Sequence, residues 1–269
     1  MKRTIVSCAA AVAMFLILAA PSCYDPANDG YHIVWQDEFD GSSLDMTTWS
    51  DHMPWFSAPP AGLVTVSDGQ LHLVDRAGDA SEITEVTTLG PRSASAPYYP
   101  NAQTWTGGGY FEARIRYTSE TNNWPAFWLF GQALAQVWQP GGSGHAACPQ
   151  LQTEWDIVDN FGPAADEWIY ATNDNTNERC QTDDHPVVQP VSTGQDLSQW
   201  HTFAGRWQDG QLCHYLDNTE VGCLPVPSTF GDPMFLILTT RIGCFGGGCD
   251  GVTPAQVSMD VDWVRVWQR

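Results

Sequence analysis

After residue 2 this chain contains no lysine. Setting aside its first 23 residues leaves nine arginines against 31 Asp and Glu, a formal charge of 9 − 31 = −22. A surface this acidic repels phosphate backbones, which argues against nucleic acid as a partner. Sulfated or carboxylated polymers are disfavoured for the same reason. A neutral polymer carries no such penalty. Long apolar runs are scarce as well. The run from Ala9 to Ala20 is too short to span a bilayer, and no later segment is long and apolar enough. Extended helix-forming stretches are few, while 24 Gly, 18 Pro and 13 Trp favour strands and turns. No internal repeat of solenoid or propeller length is visible.

The first 23 residues read as an export signal. Lys2 and Arg3 form a charged start, the apolar run follows, and Ala20-Pro21-Ser22 leads to Cys23. That ending suits an ordinary signal peptidase. It equally suits a bacterial lipobox, in which Cys23 would carry a lipid anchor. The protein is therefore expected to be secreted, or surface-anchored as a bacterial lipoprotein. Residues 24–34 look like a short tether, and residues 35–269 like one domain.

Six cysteines follow Cys23. An even count in an exported chain reads as disulfides. Cys213 and Cys223 flank a hairpin signal with its turn near Asp217 and Asn218. Cys244 and Cys249 bracket a glycine loop, which leaves Cys148 with Cys180. Zinc is the competing reading, but the later cysteines lack the paired short spacing of a structural zinc site.

From Trp35 onward the chain reads as many short strands. Residues 64–66 and 70–74 flank a Ser67-Asp68-Gly69 turn, a hairpin signal. Phe111, Ala113, Ile115 and Tyr117 alternate with Glu112, Arg114 and Arg116. PMFLILTTRI, 233–242, is a continuous apolar run expected in the core. The pattern predicts an all-β fold, a two-sheet β-sandwich with inner faces about 10 Å apart.

One stretch, TEWDIVDN at 153–160, sets three carboxylates among large apolar side chains. In a regular strand Glu154 and Asp156 share a face and Asp159 points away. A β-bulge between 156 and 159 would turn Asp159 back. Two close carboxylates in a Trp-lined cleft are the equipment of a glycosidase, one acting as nucleophile or base and the other as acid. A third between them would hold their pKa values apart. The alternative is a solvent-facing strand whose last acid opens the turn at Asn160.

Six segments in order resemble glycoside hydrolase family 16 in its laminarinase-like form, and they span nearly the whole chain after the signal. They are WQDEFDG at 35–41, NNWPAFWLFG at 122–131, TEWDIVDN itself, WHTFAGRW at 200–207, YLDNTEV at 215–221 and DVDWVRVWQ at 260–268. The resemblance implies a concanavalin A-like jelly roll with a concave substrate cleft. It implies retaining endo-hydrolysis of β-1,3-glucan or mixed β-1,3/1,4-glucan, by a monomer that needs no cofactor for catalysis. Glu154 would be the nucleophile, Asp156 its assistant and Asp159 the acid/base. Trp124, Trp128, His201 and Asn122 would contact substrate. A structural calcium would sit on Glu38, the backbone of Gly69 and Asp262.

The chain departs from that family in three ways. Asp159 stands where the family has Glu, a side chain shorter by one methylene, about 1.5 Å. An insertion carrying Cys148 precedes the acidic stretch. Asn173 lies near the place of a histidine on the next strand. Competing functions are a β-glucan-binding protein without hydrolysis, and a hydrolase or transglycosylase on another neutral polysaccharide such as a galactan.

Overall fold

A computed structural model describes residues 23–78, 83–95, 98–118, 122–132, 152–160, 167–175, 187–192, 194–226, 230, 233–243 and 254–269. Its strands are β1 (His32–Asp37), β2 (Val64–Ser67), β3 (Gln70–Arg76), β4 (Thr84–Thr87), β5 (Gly109–Tyr117), β6 (Ala126–Gly131) and β7 (Gln152–Asp159). They continue with β8 (Glu167–Asn175), β9 (Val187–Ser192), β10 (His201–Gln208), β11 (Gln211–Leu216), β12 (Thr219–Pro225), β13 (Met234–Thr240) and β14 (Gln256–Gln268). They form two antiparallel sheets. The larger runs β12-β11-β10-β5-β14-β3-β2, with β1 also on β14, and the smaller runs β4-β13-β6-β7-β8-β9. The expected all-β jelly-roll sandwich is what the chain builds. Among the described residues no helix is long and apolar enough to cross a membrane.

Turn chemistry sets the hairpins. Asp68-Gly69, Asp209-Gly210 and Asp217-Asn218 each take positive φ at both central positions. Each joins strands in a two-residue loop, with Ser67 opposite Gln70, Gln208 opposite Gln211 and Leu216 opposite Thr219. Such loops match the right-handed twist of the strands they connect. Cys213 stands directly opposite Cys223 and the two form a disulfide. The pairings Cys148–Cys180 and Cys244–Cys249 lie outside the described residues.

Residues 24–34 are not a tether. Pro26–Asp29 form a 3-10 turn capped by Asp25, and β1 begins at His32. The Tyr24 ring stacks on Tyr215 at 4.9 Å, and its backbone N–H donates to the Asn218 carbonyl. An aromatic ring this large is worth burying, and the outer face of the larger sheet offers Tyr110 and Tyr215 for it.

Between the sheets lies one core. Phe111, Ile115 and Phe203 of the larger sheet meet Phe127, Trp155, Leu236 and Leu238 of the smaller. The sheets close tightly because of Gly205 on β10. A Cβ there would fall 2.4 Å from Cζ2 of Trp155 and 2.9 Å from Cγ1 of Ile157. Glycine thus lets the β7 side chains press against the backbone of β10. The apolar run at 233–242 is buried on both faces. Leu236 and Leu238 point into the core, while Phe235 and Ile237 join a second cluster on the outer face with Met53, Leu89, Tyr99 and Phe130.

Glu85 lies beneath that second cluster, opposite Thr239. Its Oε1 accepts the Met53 N–H at 2.6 Å, and its buried Oε2 has no partner. Burial pushes its pKa up to about 8, against the Met53 hydrogen bond that lowers it.

Two outcomes are expected. Gly205→Ala should cost about 1–3 kcal/mol of unfolding free energy in urea, the range for overpacking a filled core. Glu85 keeps a proton in the folded chain that the unfolded chain releases near 4.5. The stability of its neutral form is therefore complete below that pH and is lost as pH rises to about 8. Glu85→Gln keeps the acceptor for Met53 and removes the titration. Its melting temperature should overtake wild type above about pH 7, and parallel pH curves would refute the assignment.

Candidate active site

Strand β7 carries the three acids, and its register shows how they meet. Asp156 pairs with Ala171 and Asp159 with Ile169 on β8, so three steps on β7 face two on its partner. On the other side Asp156 pairs with Trp128 and Val158 with Phe127. The strand therefore carries the β-bulge that the sequence required. Trp155, Ile157 and Val158 all belong to the inter-sheet core. Two consecutive side chains, Ile157 and Val158, point inward, and Asp159 returns to the outer face.

On that face β6 presents Phe130 opposite Glu154, Trp128 opposite Asp156 and Ala126 opposite Asp159. A cavity of about 140 Å³ is lined by the three carboxylates together with Trp124, Trp128, Thr239 and Arg241. Both expected tryptophans thus face the acids. Trp128 donates its indole N–H to Thr239 Oγ1 at 3.0 Å, which fixes the ring in its plane against β13. Its ring meets Phe130 edge-on, and Phe130 meets Trp55 in the same way. An aromatic wall extends from the acids along the outer face.

Trp124 donates its indole N–H to Oδ1 of Asp159. The two backbone bonds between Trp124 and Arg241, N–H to carbonyl in each direction, run at 2.9 and 3.2 Å. The Arg241 guanidinium lies 4.8 Å from the centre of the Trp124 ring. Its buried Nε has no hydrogen-bond partner.

Electrostatics separates the three acids. Asp156 and Asp159 are 5% and 9% exposed, whereas Glu154 is only half-buried. Burial pushes the Asp156 carboxyl well above the usual range, and the charges of Glu154 and Asp159 push it further. Asp159 is pushed up to about 8, first by burial and also by Glu154. The Trp124 N–H and the Arg241 charge hold it down but do not win. Loss of hydration thus outweighs one hydrogen bond and one nearby cation. The site thus sets two buried carboxyls whose pKa values are raised beside a third that is more open.

Other expected residues lie elsewhere. His201 is on β10, in the larger sheet, and does not line the cavity. Its Nδ1 meets Asp217 at 2.8 Å and its Nε2 meets the Asp196 carbonyl at 3.2 Å. It joins the turn after β11 to the loop before β10. Asn122 is buried with φ of 68°, and its carbonyl accepts the Gly243 N–H. It does not line the cavity either. Asn173 stands opposite Glu154 in the β7–β8 register.

The residues expected to hold calcium do not fit that ion. Glu38 takes the Arg265 guanidinium through both oxygens, at 2.8 and 3.0 Å. Asp262 accepts from Arg114 at 2.6 Å. Gly69 is the positive-φ residue of the β2–β3 turn. Both carboxylates are already paired with arginine, which competes with a hard divalent cation for their oxygens.

Sequence reasoning missed Arg241 and Thr239. Arg241 did leave a signal, a lone cation ending an apolar strand, but its partner Trp124 is 117 residues earlier (241 − 124).

Comparison with known proteins follows the same lines. The chain is 25% identical over 255 residues to the Endo-1,3-1,4-beta-glycanase EglC of Rhizobium meliloti (strain 1021), covering 89% of this chain and 49% of that protein. It thus spans about half the length of that relative. It is also 25% identical over 259 residues to Beta-porphyranase E of Zobellia galactanivorans, covering 85% of this chain and 84% of the other. The structure superimposes on the laminarinase catalytic domain of Thermotoga petrophila RKU-1 with a TM-score of 0.67 at 19% identity, covering 88% and 98% of the two chains. The family described as "Beta-porphyranase A-D, GH16 domain" matches residues 34–269, and the chain belongs to glycoside hydrolase family 16.

Proposed function

We propose that this protein is a retaining endo-glycosidase that cleaves β-1,3-glucan or mixed β-1,3/1,4-glucan. The observation that carries the reading is the bulge at Ile157–Val158, which brings Glu154, Asp156 and Asp159 onto one face beside Trp124 and Trp128. Relatives named as an endo-1,3-1,4-beta-glycanase and a Glucan endo-1,3-beta-glucosidase support the substrate class.

In this reading Glu154, the more open acid, is the ionised nucleophile. It attacks the anomeric carbon, whose bond to the leaving oxygen breaks. That oxygen keeps the electron pair and takes the proton of Asp159. The glycosyl ester on Glu154 is then cleaved by water, which gives its proton to Asp159 as it attacks. The bond from the anomeric carbon to Glu154 breaks and the carboxylate is restored. Two inversions give net retention. Asp156 stays protonated between the two, so no second negative charge stands beside the nucleophile. A group with a pKa near the working pH can serve as acid and then as base. Indole faces of Trp124 and Trp128 suit the apolar faces of neutral sugar rings.

A second reading, hydrolysis of porphyran, is favoured by the family description and by the relative named Beta-porphyranase E.

Purified protein should release reducing sugar from a β-1,3-glucan, and Glu154→Gln should reduce this to background with an unchanged melting curve. Binding without turnover above that control would show a glucan-binding protein, and faster release from porphyran would shift the substrate to the second reading. Asp159→Asn should lower kcat roughly 10²–10⁴-fold. Asp159→Glu should keep or raise turnover if reach limits the rate. Loss of activity in Asp159→Glu with an unaffected Asp159→Ala would move the acid to another residue. In wild type kcat/KM should fall as pH rises through about 8, where Asp159 loses its proton. NMR of the first product should show the β-anomer, since an α-anomer would exclude retention.

A further inference from the structure

The proton-donating position is held by an aspartate, shorter than the glutamate the family uses there, and the structure supplies a device around it. Trp124 and Arg241 lie next to each other in adjacent segments, tied backbone to backbone by two hydrogen bonds. The Arg241 cation stands 4.8 Å from the Trp124 ring centre, and the indole N–H of that ring donates to Asp159. The ring thus meets the cation on its face and the carboxylate at its edge. A cation over an indole face is attracted to the ring and also draws electron density toward itself. The N–H at the ring edge becomes a better donor to an ionised acceptor.

We propose that Arg241 and Trp124 are positioning residues that act as a unit on Asp159, holding its carboxyl at the cavity and setting the pH range in which it can both give and take a proton. The inference rests on Asp159 being the acid/base of the proposed reaction. Its reasoning is a balance of opposed effects. Asp159 is buried beside Glu154 of its own strand, whose charge disfavours a further negative one, while a protonated Asp156 adds no charge. Its register neighbours, Ala126 on β6 and Ile169 on β8, carry no charge. Only Trp124 and Arg241, among the described residues lining the cavity, favour the carboxylate. Without them burial would keep Asp159 protonated. It would still give its proton to the leaving oxygen, but it would accept one from water poorly in the second step. Arg241 thus serves as a balancing charge even though it need not touch the sugar.

The test follows the Asp159 carboxyl directly, by ¹³C NMR titration of the carboxyl carbons, with Asp159→Asn identifying its signal. Arg241→Gln and Trp124→Phe should each raise the titration midpoint by roughly one pH unit. Arg241→Lys keeps the charge and should restore most of the wild-type midpoint. The upper limb of kcat/KM against pH should move upward in step, with kcat down roughly 10- to 100-fold and KM little changed. Trp124→Phe retains the ring and serves if Arg241→Gln does not fold, as melting curves would reveal. A midpoint that stays in place in both variants overturns the inference. So does a raised KM with an unmoved pH limb, since that describes a wall of the sugar site and no more. If the midpoint shifts as expected but Asp159→Asn keeps wild-type turnover, the hold of Arg241 on Asp159 stands and the acid assignment under the proposed function fails.

Discussion

Ile157 and Val158 both face the core, although they are neighbours on one strand. A regular strand sends neighbours to opposite faces, so this arrangement requires a bulge. The inward face of β7 has the room for it because Gly205 on β10 lacks a side chain where Trp155 and Ile157 press in. Core packing therefore stabilises the distortion, and the distortion assembles the site. Were the strand straight, Asp159 would lie among apolar side chains and Glu154 with Asp156 would have no third acid beside them.

The same burial that stabilises the sandwich gives the site its chemistry. Asp156 and Asp159 lose hydration, which raises their pKa values, while Glu154 remains partly open. An aromatic cluster on the outer face of the smaller sheet adds to the wall along the cleft, and Glu85 is buried beside its Met53. Each buried carboxyl opposes stability above its unfolded pKa. At Glu85 only the Met53 contact offsets this opposition.

Much of the fold was legible in the sequence. Turn residues announced two hairpins, at Asp68-Gly69 and at Asp217-Asn218, and the Cys213–Cys223 pair followed from the hairpin that bears it, while the Asp209-Gly210 hairpin emerged only in the structure. The both-sides-apolar β13 was legible as a buried strand, though not the separate clusters its two faces join. The tether was misread because Tyr24 and Tyr31 pack against tyrosines far along the chain, which no local pattern reveals. His201 and the calcium set were carried over by resemblance. Their actual partners, Asp217 for the histidine and Arg114 and Arg265 for the acids, are particular to this chain's arrangement.

Side-chain alternation, turn residues and the order of acids are local properties, and the sequence alone determined them. It determined that Glu154, Asp156 and Asp159 share one strand and that a bulge was the condition for their meeting. Whether the bulge forms depends on what packs beneath it, and only the tertiary structure decided that, through Gly205. It also decided that Arg241 stands over Trp124 and that His201 belongs to the other sheet. Those pairings join residues far apart in the chain, and strand register in three dimensions brings them together or keeps them apart.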